Sequence, residues 1–449
     1  MVGSKYFILN IVTGDKPRIK YRVFLINNHM KFAGVMAYTS ILPMITITCC
    51  WCLSGRAQAI LPGRKDTVKR SAINHSDFRK QRDLIDLAMF IIHKDPGKRI
   101  DNQNVSSHTW HLSCSPILEY TVATGVTGGA AAGGAFLTGH PDSTNVSSFV
   151  GAVKYTQRRQ FLLPVESLLW TAGNSWNFPG DWRYLNYPQD TYGIGGHTTP
   201  ADRYTVSYKY IRIYEYALKK IAQGWYAGLG YQFDHHWNIS EQNLPKDTVT
   251  GYRLYGFSPR STSSGVVFDV QYDSRKSSIN PEGGAFYANL VFLENLRALG
   301  SNSEWNSMLI DIRKYFPIRT SSVLAFWLYG VVGLGGSAPY LDLPGTGTDT
   351  YNNTGRGYEE DRYIGKRYID LEAEYRFGIT RNGLLGAVIF CNAGSVSDPV
   401  TNRFEVVFPG FGAGLRIKFN KFSNTNACLD YGLGTGGSRG FFGNLGEVF

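Results

Sequence analysis

The feature that most constrains this chain is a two-residue alternation of apolar and polar side chains, which recurs in segment after segment from about Trp110 onward. Because successive side chains of a strand point to opposite faces, each segment predicts a strand with one apolar and one polar face. The alternation is clearest in residues 368–377, where the apolar set is Ile369, Leu371, Ala373, Tyr375 and Phe377 and the polar set is Asp370, Glu372, Glu374 and Arg376. Such a charged face is costly in a dry core, so it must line a wet or ion-paired interior, and the apolar face then meets lipid.

A soluble β-sandwich also alternates, with its polar face outward, so the period alone leaves two fold classes open. Three features favour a membrane barrel. The segments are about ten residues long, as spanning strands are, an export segment precedes them, and the chain stops on Phe449 with Leu445 and Phe441 on the same strand face. A terminal aromatic on an amphipathic strand is the signal that the outer-membrane assembly machinery reads. We therefore predict an all-β fold, a transmembrane antiparallel β-barrel of about sixteen strands over residues 108–449.

The connections between these segments differ in character. Thr380-Arg381-Asn382-Gly383 predicts a short periplasmic hairpin, whereas residues 336–365 form a long stretch rich in Gly, Asn and Thr that is suited to an external loop. A glycine-alanine run at residues 128–134 blurs the alternation, so the first strands are the hardest to delimit.

The region before the barrel has the pattern of an exported protein. An apolar run at residues 32–53 follows Met30-Lys31 and precedes Ala57-Gln58-Ala59, a small-x-small cleavage pattern. We predict a cleaved signal peptide at residues 30–59 and an upstream extension, from a misassigned start, at residues 1–29. The alternative is a signal anchor retained in the inner membrane, since the run is about long enough to span.

Residues 60–107 are polar and basic and predict a short periplasmic segment with one helix. The helical patch is made by Leu84, Ile85, Leu87, Ala88, Ile91 and Ile92, and it is ended by Asp95-Pro96. A plug or partner-docking helix and a short amphipathic helix on the membrane face are both compatible with this pattern.

Composition excludes several classes. A mean hydropathy of −0.20 with one long apolar run excludes a bundle of membrane helices. The net charge of +11 is scattered through strand-like segments, which argues against a nucleic-acid partner. Outside the export segment only Cys114, Cys391 and Cys428 remain, too far apart for a disulfide framework or a zinc site. The 28 Tyr, 26 Phe and 9 Trp suit the aromatic girdles of a barrel.

Candidate catalytic and ligand-binding patterns are weak. His235 and His236 are adjacent on a strand and point to opposite faces, so they are poorly placed to share a metal ion. No Gly-x-Ser-x-Gly nucleophile pattern occurs, and the glycine runs lack the Gly-Lys-Ser/Thr of a phosphate loop. We expect no enzyme activity, no metal and no cofactor.

Four motifs follow one another in the C-terminal half, over about residues 265–449. The first is Tyr272-Asp273-Ser274-Arg275 followed by Pro281-Glu282-Gly283-Gly284, and the second is the loop-end motif Gly355-Arg356-Gly357-Tyr358. The third is a pair of segments, Glu374-Tyr375-Arg376-Phe377 and Phe390-Cys391-Asn392-Ala393-Gly394. The fourth consists of the closing segments Gly412-Ala413-Gly414-Leu415-Arg416 and Leu429-Asp430-Tyr431-Gly432. In this order they resemble the BamA/TamA superfamily of outer-membrane barrels, also called the bacterial surface antigen family.

The resemblance implies a role for several of these residues. The loop tip at Arg356 is expected to fold back into the lumen and to meet acidic groups on two successive strands. Glu374 matches the first of those positions. Asn392 stands at the second, where the family has Asp, so Arg356 is expected to keep one ionic partner rather than two. Asp273, Arg275 and Gly283 belong to the family's strand-hairpin motif.

The resemblance also implies a function at the outer membrane. We expect a weak seam between first and last strands that opens toward lipid, and a role in outer-membrane protein assembly, insertion or transport. Residues 60–107 are too short for a POTRA domain, so the chain resembles a short member without them. The alternative is a passive pore for small solutes, with the long loop as its constriction. Expected partners are outer-membrane lipid, the assembly machinery for the chain's own insertion and a possible protein client.

Overall fold

The computed structural model describes residues 81–91, 111–121, 124–140, 143–244, 249–319, 321–421 and 423–449. The predicted upstream extension, the predicted signal peptide and most of residues 60–107 lie outside the described residues. No helix among the described residues is long and apolar enough to cross a membrane.

In the described part of the chain, sixteen antiparallel strands form one sheet, and each strand is hydrogen-bonded to its neighbours in chain order. The strands are β1 His111–Thr121, β2 Gly125–Phe136, β3 Ser147–Thr156, β4 Phe161–Trp170, β5 Trp176–Thr191, β6 Tyr204–Ala222, β7 Trp225–Gln242, β8 Arg260–Asp273, β9 Phe286–Asn295, β10 Trp305–Arg319, β11 Ser322–Gly336, β12 Arg367–Gly378, β13 Leu385–Ser397, β14 Phe404–Asn420, β15 Thr425–Gly434 and β16 Arg439–Leu445. Among the described residues the α-helices are α1 Leu84–Ile91 and α2 Gly251–Gly256. The predicted number of strands is confirmed.

The two faces of the strands have opposite chemistry. In β12 the side chains of Ile369 and Leu371 are 41% and 53% exposed on the outside, whereas Asp370, Glu372 and Glu374 are almost completely buried inside. The same arrangement recurs in β7 and β14, where the outward residues include Trp225, Leu229, Phe411 and Leu415. An apolar exterior around a charged interior is the reverse of a water-soluble sandwich and fits a wall surrounded by lipid. The predicted fold class is confirmed.

The strand directions sort the connections into two ends. The start of β1, the end of β16 and short connections such as 223–224 lie at one end, which we call the terminal end. Longer connections, among them 192–203, 243–259 and 337–366, lie at the opposite end, which we call the loop end. In outer-membrane barrels the short turns are periplasmic and the longer loops are extracellular.

The sheet closes with a weak seam. β1 and β16 come into contact, but in the part of the chain that the structure describes no ladder of paired residues joins them. β16 has only 7 residues, whereas neighbouring strands elsewhere pair over longer stretches, such as β6 with β7. The wall is therefore least strongly held between its first and last strands.

Helix α1 is fastened to the terminal end of the barrel. Its first turn is capped by Asp83, whose Oδ1 accepts from the N–H of Asp86 at 2.7 Å. Lys421, in the connection between β14 and β15, donates its backbone N–H to Asp83 Oδ2 at 2.9 Å. Its ammonium pairs with Asp86 Oδ2 at 2.7 Å. The structure thus forms the predicted helix and docks it on the rim of the barrel.

Candidate functional site

The connection 337–366 folds back into the barrel interior, and we call it the lumenal loop. Its tip needs glycine on both sides of Arg356, because Gly355 and Gly357 have φ angles of 70° and 112°. The Gly355 N–H donates to Asp370 Oδ2 at 3.1 Å and to Glu372 Oε1 at 3.0 Å. A Cβ at Gly357 would lie 2.9 Å from the carbonyl carbon of Leu433, so the tip approaches β15 closely.

Arg356 at this tip is 1% exposed and meets three carboxylates. Its guanidinium lies 3.0 Å from Glu372 Oε2, 2.8 Å from Glu374 Oε2 and 2.9 Å from Asp430 Oδ2. Burial alone would lower the pKa of Arg356, but the three carboxylates raise it above its ordinary value. The expectation of a single ionic partner is therefore wrong, since Glu372 and Asp430 join Glu374.

The ion pairs continue from Arg356 around a closed circuit. Arg376 pairs with Glu374 and lies 3.7 Å from Glu447 Oε2. Arg416 lies 2.7 Å from the same Glu447 oxygen and also pairs with Asp430. The circuit, which we call the charge ring, alternates in sign and contains Arg356, Glu374, Arg376, Glu447, Arg416 and Asp430. Each buried charge in it has two opposite neighbours, which is the condition under which buried ions are tolerated.

Glu447 brings the end of the chain into the charge ring. β16 ends at Leu445, and Gly446, with φ 92°, turns the following residues inward. The Glu447 N–H donates to the Ile279 carbonyl at 2.6 Å. Burial alone would raise the pKa of Glu447, but Arg416 and Arg376, with a hydrogen bond from Asn426, lower it to about 2.

Phe449 lies inside the barrel and not on the strand face predicted for it. Its ring is 5.2 Å from that of Trp327, and its backbone oxygen accepts from Arg376 at 2.5 Å. Phe441 is 48% exposed on the outside of β16, and Leu445 is half-buried at the strand's end. The three residues therefore do not share one face, because the turn at Gly446 redirects the chain after the strand.

Further contacts of the motif residues hold the tip of the lumenal loop. Asn392 donates its amide to the Arg356 carbonyl at 2.8 Å, so this position binds the loop without a charge. The Tyr358 hydroxyl donates to the Pro409 carbonyl at 2.5 Å and accepts from the Thr435 N–H at 2.9 Å. Arg356 also stacks on Phe390 at 3.9 Å from the ring centre.

The strand-hairpin motif lies at the terminal end, away from the loop tip. Arg275 binds Asp273 through two nitrogens, at 3.0 and 2.9 Å, and stacks on Tyr287 at 3.9 Å. A Cβ at Gly283 would lie 2.6 Å from the Cα of Pro317, so glycine permits this close packing. The same connection contains Ile279, which contacts Glu447, and it thus supports the chain end that completes the charge ring.

The lumenal loop also reaches the opposite wall, on β5. Tyr187 donates to Glu360 at 2.8 Å, and Gln189 donates to Asp361 at 2.8 Å. Burial raises the pKa of Glu360 to about 7. The sequence analysis did not predict this second attachment, although the charge run Glu359-Glu360-Asp361-Arg362 just after the tip indicates polar contacts in the interior. The loop is therefore held at both sides of the interior that it crosses.

Comparison with solved structures finds similar barrels. BamA from Haemophilus ducreyi lacking POTRA domains 1–3 matches with a TM-score of 0.50 and 14% sequence identity, over 75% of this chain and 70% of that chain. CdiB from Acinetobacter baumannii matches with a TM-score of 0.46 and 10% identity, over 74% and 59% of the two chains. CdiB from Escherichia coli matches with a TM-score of 0.46 and 11% identity, over 73% and 60%. The chain thus spans about three fifths of the CdiB chains.

At this level of identity the likeness to BamA shows a common fold, an outer-membrane β-barrel. No protein-family model matches the sequence. No curated protein matches it either.

Proposed function

We propose that this chain is an integral outer-membrane protein that assists the insertion or transport of other proteins, by opening its wall toward lipid between β1 and β16. This proposal extends the resemblance to BamA/TamA barrels, and it includes export by a cleaved signal peptide and lipid as the surrounding partner. Its client is a protein with an amphipathic strand, because such a strand can pair with an exposed sheet edge.

The observation that carries the proposal is the absence of a β1–β16 ladder among the described residues. Opening the wall anywhere else breaks a row of backbone hydrogen bonds in hydrocarbon, where each unsatisfied group costs several kcal/mol. At the seam the described residues of β1 and β16 form no such row. The seam is therefore the place where the wall opens at the lowest cost.

The attachment of the lumenal loop to two sides of the interior favours this role over the passive pore. The lumenal loop is bound by the charge ring on one side and by Tyr187 and Gln189 on the other. A pore needs a continuous aqueous path, whereas a wall that opens sideways does not. Wild-type protein in planar bilayers is accordingly expected to show no steady conductance.

A cross-link across the seam tests the proposal. The native Cys114 on β1 is exposed, and Phe441→Cys places a second thiol on the outside of β16, with every other cysteine replaced by serine. The control cross-links Ala413→Cys on β14 to Tyr431→Cys on β15, two positions that already face each other in a ladder. In the control all native cysteines, Cys114 included, are replaced by serine. Both are linked with a bismaleimide after reconstitution into vesicles.

The readout is the rate at which a urea-unfolded OmpA-type eight-stranded barrel inserts into these vesicles. Wild type and the β14–β15 cross-link are expected to accelerate insertion equally over empty vesicles, and the seam cross-link is expected to remove the acceleration. Full acceleration with the seam closed, or none with wild type, would contradict the proposal.

A further inference from the structure

The connection 192–203, which we call the cap loop, crosses the loop end of the barrel from β5 and β6 to β13 and β14. The Gly195 N–H donates to the Ile364 carbonyl at 2.8 Å, and Ile194 forms a parallel bridge with Ile364. A Cβ at Gly196 would lie 2.7 Å from the Cβ of Val406, so the cap loop directly contacts the start of β14. In strand order these two sides are half the barrel apart.

Three side chains with metal-binding atoms meet where the cap loop reaches the far wall. They are His197 from the cap loop, Asp398 from the connection between β13 and β14, and Glu405 from the start of β14. One ligand atom from each lies within 4.8 Å of the others. His197 Nε2 is 3.5 Å from Glu405 Oε2. Two ligands about 2.0–2.1 Å from a tetrahedral zinc ion are themselves about 3.3 Å apart, so this spacing is close to that of a loaded site.

Hydrogen bonds fix the orientation of both carboxylates. Asp398 Oδ1 accepts from the N–H groups of Val400 and Thr401 at 2.8 and 2.9 Å. Glu405 Oε1 accepts from the Thr401 hydroxyl at 2.5 Å. Among the contacts that the structure describes, each carboxylate therefore spends one oxygen on its orientation and keeps the second for a ligand. Such supporting hydrogen bonds are typical of the groups around protein metal sites.

The loop that carries His197 is also held in place. Arg362 of the lumenal loop donates to the Thr198 hydroxyl at 2.9 Å and to the Thr198 carbonyl at 2.8 Å. The backbone next to His197 is thus held near the two carboxylates by the packing of two loops. A preformed set of ligands binds a metal more tightly than a mobile one, because less ordering accompanies binding.

We propose that His197, Asp398 and Glu405 form a binding site for a divalent cation of the zinc class, at the loop end of the barrel. One imidazole and two carboxylates suit zinc, with a water in the fourth position, whereas calcium and magnesium prefer oxygen ligands alone. Because the ligands come from opposite sides of the mouth, the bound ion joins the cap loop to the β13–β14 wall. It therefore stabilises the closed loop end by mass action.

Calorimetric titration of zinc chloride into the full-length protein in detergent tests the site. Wild type is expected to bind one ion that His197→Gln and Glu405→Gln bind at least tenfold more weakly. His140→Gln, which removes an exposed histidine at the terminal end, is the matched control and is expected to bind like wild type. Heat-modifiable migration on a gel checks that each variant is folded. The proposal is overturned if wild type binds no zinc below millimolar concentration, or if the site variants bind it as wild type does.

Limited proteolysis supplies a second readout that does not depend on the affinity measurement. Zinc is expected to slow cleavage within residues 192–203 of wild type and of His140→Gln, and to leave cleavage of His197→Gln unchanged. Equal protection of all three proteins by zinc would indicate general binding to the surface and would contradict the proposal.

Discussion

At the scale of single residues, the interior is organised by arginines that each satisfy more than one carboxylate. Arg356 belongs to the lumenal loop, while its partners Glu372, Glu374 and Asp430 belong to the wall. A buried ion pair adds little net stability by itself, but removing one partner leaves an uncompensated charge. Loss of Arg356 would therefore leave three buried carboxylates of the wall without their shared cation.

We expect Arg356→Ala to destabilise the folded barrel by about 3–5 kcal/mol, because three carboxylates lose their shared cation. Urea unfolding in lipid vesicles, followed by tryptophan fluorescence, measures this change. Arg381→Ala, at an exposed turn of the terminal end, removes the same side chain outside the charge ring and should leave the unfolding midpoint within error. Equal effects of the two substitutions would refute the special role of Arg356.

Glu447 predicts a pH dependence with a definite sign. Its pKa is lowered from 4.5 to about 2 in the folded protein, so the stabilisation exists above the ordinary value and is lost as the pH falls toward 2. The difference in unfolding free energy between wild type and Glu447→Gln should accordingly shrink by about 3 kcal/mol between pH 6 and pH 2. Unfolding titrations of both proteins across this range measure it. A pH-independent difference would show that Glu447 does not act through its charge.

At the scale of elements, the sequence predicted which face of each strand is charged but not which charges meet. The alternation in residues 368–377 placed Glu372 and Glu374 inward, and the structure confirms this. Asp430 lies on β15, three strands away from β12, so its contact with Arg356 depends on how far the loop tip reaches across the lumen. No local pattern reports that distance. The inward turn after β16 was not predicted for a similar reason, since the presence of a glycine at 446 does not by itself indicate a positive φ angle.

The lumenal loop makes a prediction at this scale. Removing residues 345–364 and joining the remaining ends should give steady ion conductance in planar bilayers, because the side chains that cross the interior are removed. Wild type, measured in the same bilayers, should stay closed. Conductance that is the same in both proteins would mean that the loop does not block the path.

At the scale of the whole molecule, the sequence predicted the architecture well because one rule governs every strand. Lipid outside and charge inside impose the same two-residue period on every strand. The seam forms between two strands that are distant in sequence, and the alternation within each strand does not predict how the two strands meet. The cap loop contact between His197 and Glu405 depends on the same closure, since their strands lie on opposite sides of the barrel.

The inward turn after β16 makes the two margins of the seam unequal. Glu447 is tied to Arg376 and Arg416, so the end of β16 is anchored to β12 and β14 in the interior. β1 pairs with β2 along a run of glycine and alanine, whose small side chains add little packing. In the proposed opening of the wall, we therefore expect β16 to keep its position and β1 to move. An incoming strand should then pair first with the freed edge of β1.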